Sequence, residues 1–343
     1  MPFKSDCVPA EDAVFDAVRH FLVSGRRGTS DPGRSRILWR RLGALFLFAM
    51  LHGFGIWWED ILSLYAATGV IMLFCRSLPP KTLLLIGVIL FAVTTARDMP
   101  PGAIPSLAPD ASSRAVPQHA PDATAAAQKK IAIAADFAEA KRSWRGAYQE
   151  NAREYLHQLS KGWRGIPDTL GLMMIGLSLF KSGFFAARSS RRRYRAVMVI
   201  GTVALAMVAW ITWQADVAES PTVWGHVIGL LVTPFVSLAY AASLILLLRG
   251  DASRLLAPFA ATGRIAFTNY LTQSMLMTSI FYGGRGALMG EVDRPALWGI
   301  VICVWVLQLI WSPLWLARFE MGPLEWVWRY LTYGHRVPFV KRA

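Results

Sequence analysis

The feature that most constrains this chain is a series of apolar stretches, each close to the length that a helix needs to cross a lipid bilayer. A hydrocarbon core about 30 Å thick requires roughly 20 mostly apolar residues, and slightly fewer where aromatic residues extend the ends into the interface. Eight stretches meet or approach this length: Leu42–Trp58, Ile61–Cys75, Thr82–Ala96, Thr169–Ala187, Ala196–Ala215, Ser220–Leu248, Ile265–Gly284 and Pro295–Ala317. The sequence therefore predicts an all-α fold, a polytopic transmembrane helix bundle with about eight spans, the third of them short.

Composition favours lipid over water as the surroundings of this chain. Of the 343 residues, 54% are hydrophobic and 17% are charged, whereas about 25% of the residues of soluble domains are charged. The net charge of +14 would favour nucleic acid in a soluble protein, but 14 Trp and 18 Phe are typical of a chain in contact with a bilayer. The position of the basic residues distinguishes the two interpretations.

The basic residues concentrate on alternate sides of the eight stretches. Segments on one side hold 22 Lys and Arg, namely Ser24–Arg41, Arg76–Lys81, Lys181–Arg195, Arg249–Arg264 and the tail from Arg318. The short loops on the other side hold two, namely Glu59–Asp60, Asp216–Glu219 and Arg285–Arg294. Because Lys and Arg in short loops mark the cytoplasmic side, we expect a multi-pass protein of the inner (plasma) membrane with both termini in the cytoplasm. Topology explains the charge, so we expect no nucleic-acid partner, and the run Arg188–Arg195 is expected to attract anionic lipid of the bilayer.

These assignments divide the chain into five parts. Residues 1–41 form a cytoplasmic N-terminal segment, 42–97 hold spans one to three, 98–166 form an extracytoplasmic insertion, 167–317 hold spans four to eight, and 318–343 form a cytoplasmic tail. The stretch Met99–Ala127 is rich in Pro and Ala, as linkers are. In Gln128–Leu159, apolar residues recur at steps of seven and four: Phe137, Trp144, Tyr148, Tyr155 and Leu159. We therefore expect an amphipathic helix that rests on the outer membrane surface or closes over the outer mouth of the bundle.

The tail carries a helix-start signal. Gly322-Pro323 followed by Glu325 places Pro in the first turn and an acid near the positive end of the helix dipole. The aromatic residues Trp326, Trp328 and Tyr330 then predict a short helix at the cytoplasmic interface.

The first span contains the first group of residues that could carry chemistry. His52 lies in its outer part, and Glu59 and Asp60 follow at its outer end. Eight residues correspond to about 12 Å along a helix, so His52 reaches Asp60 only if the turn between the first two spans brings the chain back. A buried His beside a carboxylate is a candidate general base. The alternatives are a His bonded to a neighbouring carbonyl, and acids that cap the second helix.

The seventh span carries a polar stripe. Asn269, Thr272 and Gln273 share one face, with Arg264 at the inner end of the span. Such a stripe has to face protein or water, so it either holds helices together or lines a substrate cavity.

Other site types lack their sequence signatures. The three cysteines Cys7, Cys75 and Cys303 have no ligand spacing, so we predict no metal site. No nucleophile elbow, glycine-rich phosphate loop or HExxH motif is present, which argues against serine-hydrolase, phosphate-loop and zinc-protease chemistry.

Several strings of the sequence together indicate a family. They are Leu51-His52-Gly53, Asp60-Ile61-Leu62, Tyr65-Ala66, Gly263-Arg264-Ile265-Ala266-Phe267-Thr268-Asn269-Tyr270-Leu271, Gln273-Ser274, Gly322-Pro323-Leu324-Glu325-Trp326 and Arg329. Over roughly Arg40–Arg76 and Trp144–Gly334, they resemble the YeiB-like family of bacterial membrane proteins. Tyr148, Glu150 and Arg153 of the insertion are also similar to the outer segment of that family.

The resemblance implies two possible functions. One is transport, and the other is acyl transfer, through a distant kinship with transmembrane acyltransferases that move acyl groups onto extracytoplasmic glycans or small molecules. Our leading hypothesis is an acyltransferase-like enzyme that takes an acyl-coenzyme A donor. In it, His52 is the general base, Asp60 orients the base, and Arg153, Arg264, Asn269 and Gln273 help to bind donor or acceptor. The alternatives are a small-molecule transporter or exporter, in which the same residues line a pathway, and a noncatalytic scaffold whose amphipathic outer helix binds a partner.

The chain departs from the family pattern at two places. Family members carry further spans and an early Arg-Gly segment before the equivalent of Arg40, so we expect the start of this sequence to be truncated or misassigned. Glu59 stands where the pattern has a glycine before Asp60.

Overall fold

A computed structural model describes residues 32–97, 135, 138, 143–216, 223–250 and 253–341. In order, the helices with described bounds are α1 (Pro32–Gly55), α2 (Leu62–Cys75), α3 (Pro80–Arg97), α4 (Trp144–Lys161), α5 (Ile166–Lys181), α6 (Arg191–Asp216), α7 (Val223–Leu248), α8 (Ser253–Arg264), α9 (Ala266–Phe281), α10 (Arg294–Arg318) and α11 (Pro323–Tyr333). A 3-10 turn, Gly162–Gly165, joins α4 to α5. The described residues contain no β-strand, only an isolated bridge between Phe319 and Val340. The predicted all-α fold is confirmed.

Each of the eight predicted spans coincides with a helix. Five segments are long and apolar enough to cross a membrane, Ser35–Gly55, Pro80–Arg97, Arg191–Gln214, Val227–Leu248 and Arg294–Arg318. The helices α2, α5 and α9 are shorter, at 14, 16 and 16 residues, so the count of eight spans stays a prediction.

Apolar side chains cover the outer surface of the long helices. In the α6 and α7 segments only 11% of the most apolar window is buried, and large residues such as Val199, Trp210 and Phe235 are about half exposed. A soluble protein does not display surfaces of this kind. These helices belong in a lipid bilayer.

Three predicted ends are wrong because the backbone turns earlier than hydropathy suggests. The first span was expected to reach Trp58, but α1 ends at Gly55. The fourth span was expected to reach Ala187, but α5 ends at Lys181 and a turn follows in which Gly183 and Ala187 have φ of 81° and 56°. The seventh span was expected to reach Gly284, but α9 ends at Phe281, Tyr282 is extended, and Gly284 has φ of 74°. Left-handed residues end a helix whether or not the following side chains are apolar.

The segment Arg249–Arg264, expected to be a loop, contains helix α8. The predicted tail helix is confirmed, since α11 begins at Pro323 with Gly322 as its N-cap. The predictions for residues 1–31 and 98–134, and those resting on Phe137, lie outside the described residues.

The described residues divide into two compact units. One holds those within 32–35, 68–97 and 165–253, and the other holds those within 36–67, 135–164 and 254–341. In the first, α3 packs against α5 and α6 against α7. A Cβ on Gly87 would overlap the carbonyl oxygen of Gly171, so only glycine allows this close approach. The ammonium of Lys181 donates to the carbonyls of Arg76 and Leu78, just after the end of α2.

In the second unit the starts of α9 and α11 cap each other. The carboxylate of Glu325, in the first turn of α11, accepts from the backbone N–H and the hydroxyl of Thr268, in the first turn of α9. The Thr268 hydroxyl oxygen accepts in turn from the backbone N–H of Leu324, at 3.2 Å. Both helices thereby satisfy N-terminal donors that would otherwise lack partners.

Helix α4 packs against the protein through only part of its apolar face. Tyr155 is fully buried together with Ala147 and Asn151, whereas Trp144 and Tyr148 are 53% and 50% exposed. Asn151 is buried because its amide donates hydrogen bonds to carbonyls at the end of α1. Helix ends need such partners, and a pattern of hydrophobic residues does not show which polar side chain supplies them.

Candidate functional site

The site lies in the second unit, where α1 ends. His52 occupies the last turn of α1, and its carbonyl accepts from the backbone N–H groups of Ile56 and Trp57, which closes the turn. The chain then returns to Asp60, whose Oδ2 accepts from the backbone N–H of Ser63 at 2.8 Å and so caps the start of α2. Because this cap fixes the carboxylate, its second oxygen has a defined direction.

Asp60 and His52 form a buried pair. The Nδ1 atom of His52 lies 2.9 Å from Oδ1 of Asp60, and both side chains are 0% exposed. An ionised carboxylate only accepts hydrogen bonds, so the imidazole donates from Nδ1. The lone pair of a neutral imidazole is then on Nε2, which is buried and has no hydrogen-bond partner among the described residues. This arrangement has an oriented base with an unused acceptor.

Two tyrosines enclose the pair. Tyr270 of α9 lies against the imidazole, with ring centroids 5.0 Å apart. Tyr155 of α4 donates from its hydroxyl to the carbonyl of Ala49 at 3.2 Å, and its ring covers the Cα of Gly53 so closely that a Cβ there would overlap it. Burial of the phenol, followed by the charge of Asp60, raises the pKa of Tyr155 to about 12. Tyr155 is therefore a neutral hydrogen-bond donor at physiological pH.

Helix α4 is fastened over this turn by amide side chains. Asn151 donates from Nδ2 to the carbonyls of Gly53 and Phe54, at 2.8 and 3.1 Å. Gln158 donates to the carbonyl of Asp60 at 3.2 Å. The carbonyls at a helix C-terminus need such partners, and here they are supplied by the insertion.

A cavity of about 600 Å³ lies next to the pair. Tyr270 lines it and also contacts His52, so the same ring touches both the imidazole and the cavity. Its remaining polar lining residues are Glu59, Gln273 and Ser274, and the apolar ones include Met277, Phe281, Leu288, Met289, Val292 and Leu297. An apolar cavity with a few polar groups beside an oriented base has the features of a small-molecule site.

Comparison with known proteins identifies the family. The chain is 30% identical over 311 residues to the uncharacterized protein YxaH of Bacillus subtilis, which covers 89% of this chain and 73% of that one. It is 31% identical over 331 residues to the uncharacterized protein YeiB of Escherichia coli, covering 91% and 80% of the two chains. The chain belongs to the YeiB-like family.

Two further comparisons agree with this membership. The domain described as "Protein of unknown function (DUF418)" matches residues 179–335. An uncharacterized 39.9 kDa protein in the amylase 3' region of Bacillus acidopullulyticus is 38% identical over 119 residues, or 34% of each chain. No solved structure matches.

Two strings on which the resemblance to the YeiB-like family rested contact each other. Thr268 and Glu325 belong to the strings at the starts of α9 and α11, and they form the reciprocal cap described above. Arg264 belongs to the same α9 string, and its guanidinium donates to the carbonyl of Glu320 at 3.0 Å. These contacts give both strings a packing role.

The structure separates the residues of the seventh-span stripe. Gln273 lines the cavity. Asn269 lies in a network instead: it donates to Ser312 and to the carbonyl of Thr262, both at 3.2 Å, and accepts from the indole of Trp311 at 3.0 Å. Its side chain therefore joins α9 to both α8 and α10.

Arg153, the remaining residue predicted to bind substrate, lies on the surface of α4. Its side chain is 72% exposed and pairs with Glu150 at 3.5 Å. Of the six predicted site residues, the structure brings together His52, Asp60 and, across Tyr270, Gln273. Arg153, Arg264 and Asn269 have other partners.

Three residues of the site were not predicted to belong to it: Asn151, Tyr155 and Tyr270. The spacing of four between Asn151 and Tyr155 puts them on one face of α4, which was an available signal. Tyr270 adjoins Asn269 in the most specific family string, but its role depends on which way α9 faces.

Proposed function

We propose that this protein is a membrane enzyme that transfers an acyl group to a hydroxyl- or amine-bearing acceptor, with His52 as general base. The observation that carries the proposal is the buried His52–Asp60 pair, with Nδ1 bonded to the carboxylate at 2.9 Å and Nε2 unpartnered. Most buried polar side-chain atoms have a hydrogen-bond partner, so an unpartnered Nε2 favours a group kept for its chemistry.

The chemistry assigned to the pair is proton transfer. Nε2 takes the proton of the acceptor as its oxygen or nitrogen forms a bond to the carbonyl carbon of an acyl thioester such as acyl-coenzyme A. The carbon–sulfur bond then breaks, and the thiol leaves with the proton returned by Nε2–H. Asp60 holds the Nδ1–H tautomer throughout and stabilises the imidazolium that forms between the two steps.

The access of Nε2 depends on Tyr270. Because Nε2 is buried and Tyr270 contacts both the imidazole and the cavity, we propose that rotation of this ring admits the acceptor. Substrate-dependent movements of this kind are common in enzymes.

A transporter is the second candidate class. A pathway needs polar residues at successive depths on several helices, whereas the polar residues around this cavity gather at Glu59, Tyr270, Gln273 and Ser274. Their concentration beside one base favours a reaction site.

We also propose the orientation in which both termini are cytoplasmic. The support is the concentration of Lys and Arg in alternate loops. This orientation puts the His52–Asp60 pair near the outer leaflet and the arginines of Arg188–Arg195 next to anionic lipid of the inner leaflet. The test is a cysteine introduced at Ser190. If an impermeant maleimide labels this cysteine in intact cells, the proposed orientation is contradicted.

The test of function uses purified protein in nanodiscs, radiolabelled acyl-coenzyme A donors of several chain lengths, and a membrane extract as the source of acceptors. A general base contributes roughly 100- to 10,000-fold to a rate, so His52→Ala should lower transfer by at least about 100-fold. His157→Ala is the matched control, because His157 is exposed on α4, and it should leave transfer unchanged. Full transfer by His52→Ala, or uptake of an unmodified substrate into proteoliposomes without any acylated product, would refute the proposal.

A further inference from the structure

The cavity beside the pair has a lining that restricts its ligand. Seven of its residues are apolar or aromatic without a charge or hydroxyl, namely Trp57, Met277, Phe281, Leu288, Met289, Val292 and Leu297. A volume of about 600 Å³ is within the range of roughly 300–1,000 Å³ that small-molecule sites have. An aliphatic chain suits such a lining, because each contact removes apolar surface of both the chain and the cavity from water, which is favourable.

Charge restricts the ligand further. The residues that line the cavity include no lysine and no arginine, and Glu59 is the one formal charge among them. Phosphate, sulfonate and carboxylate groups are recognised in proteins by arginine, lysine or helix N-termini. An anionic head group in this cavity would meet a carboxylate and no counter-charge.

We propose that this cavity binds the alkyl chain of an amphiphile whose head group is uncharged or cationic, and that Glu59 disfavours anionic head groups. The chain lies along the second half of α9 and the segment 288–297, with the head group near Gln273, Ser274 and Tyr270, where hydrogen-bonding groups are available.

The identity of this amphiphile as a substrate rests on the proposed function, but its binding does not. Tyr270 contacts both the cavity and His52, so a head group at this end of the cavity is next to the ring that covers the base. Under the proposed function, the amphiphile is the acyl acceptor, and the anionic coenzyme A portion of a donor binds outside this cavity.

The test is photolabelling of the full chain in zwitterionic nanodiscs with a dodecanol that carries a diazirine on its chain. Mass spectrometry locates the labelled peptides, and the signal from the lipid-facing side of α10 serves as the internal standard for partition into the bilayer. Labelling should concentrate on residues 277–297. Dodecylamine and dodecanol should displace it at concentrations roughly three- to tenfold lower than dodecanesulfonate, the range for one partly screened charge at close distance.

Two variants make the test specific. Met277→Trp fills the cavity and should reduce its labelling at least fivefold, whereas Val306→Trp adds the same side chain at a position exposed on α10 and should not. Glu59→Gln should bring dodecanesulfonate to within about twofold of dodecanol, because the repulsion is gone.

The outcomes separate binding from catalysis. Three results would overturn the proposal. They are equal labelling of cavity peptides and lipid-facing peptides, unchanged labelling in Met277→Trp, and competition by dodecanesulfonate as strong as that by dodecanol in the wild-type chain. Specific labelling of a protein that transfers no acyl group from any donor would support the cavity assignment and count against the proposed function. His52→Ala should retain the labelling pattern, since the imidazole does not line the cavity.

Discussion

The reciprocal cap between α9 and α11 allows a quantitative test of how the second unit is held together. Glu325 is 8% exposed and Thr268 is 1% exposed, and the carboxylate accepts from the N–H of Thr268 at 3.0 Å and from its hydroxyl. Hydrogen bonds to a charged group contribute about 1.5–3 kcal/mol each. Glu325→Ala removes both and leaves two buried donors unpaired, so we expect a loss of about 3–5 kcal/mol in the free energy of unfolding.

The partner variant completes a double-mutant cycle. Thr268→Val keeps the side-chain shape but removes the hydroxyl, which leaves Leu324 N–H and one carboxylate oxygen unpaired, and should cost about 2–4 kcal/mol. Once Glu325 is absent, the hydroxyl has lost its main partner, so the double variant should be more stable than the sum of the single effects by about 1.5–3 kcal/mol.

Steric trapping in bicelles measures these free energies without detergent unfolding. Glu154→Ala is the control, because Glu154 only approaches Arg153 at 4.0 Å on the surface of α4, where an ion pair contributes at most about 1 kcal/mol. Additivity of Thr268→Val and Glu325→Ala to within about 0.5 kcal/mol would refute the reciprocal cap, as would a loss in Glu325→Ala no larger than that of the control.

Three further predictions concern α4 and the first unit. Gly53→Ala should destabilise the protein by about 1–3 kcal/mol, measured by thermal unfolding, since its methyl group overlaps the Tyr155 ring; Gly55→Ala, with open space around it, is the control. Burial raises the pKa of Tyr155 to about 12, so Tyr155→Phe should lower the amplitude of the step near pH 12 in the 295 nm absorbance titration by one tyrosine. Because the folded pKa lies above the usual value of about 10, the stability of the wild-type protein should fall between these two pH values. Lys181→Met should cost about 1–3 kcal/mol by removing bonds to two carbonyls after α2, and Lys181→Arg should restore part of this loss in the same unfolding assay.

The helices were predictable because bilayer thickness imposes a simple rule on length and hydropathy. Each predicted span coincides with a helix, and the start of α11 follows from Gly322-Pro323. The ends of α5 and α9 were not predictable from hydropathy, since α5 stops before the left-handed Gly183 and α9 stops at the extended Tyr282. The shortness of α9 follows from its turn at Tyr282.

The candidate site was predictable in part. The pairing of His52 with Asp60 required the turn between them to fold back, and the cap that Asp60 places on α2 supplies this reversal. The stripe on α9 was ambiguous because residues four positions apart share a face only approximately. Asn269 faces α10 and Gln273 faces the cavity, a difference set by how α9 is rotated against its neighbours.

The central claim is that Asp60 holds His52 in the Nδ1–H tautomer and leaves Nε2 as a free acceptor, and ¹⁵N NMR of histidine-labelled protein in nanodiscs tests it most directly. The chain has six histidines, so His52→Gln assigns the signal. We predict a protonated Nδ1 and an unprotonated Nε2 at neutral pH, with the two exchanged in Asp60→Asn, whose amide can donate to Nδ1. A protonated Nε2 in the wild-type protein would contradict the account, because the proposed base would then have no lone pair to offer.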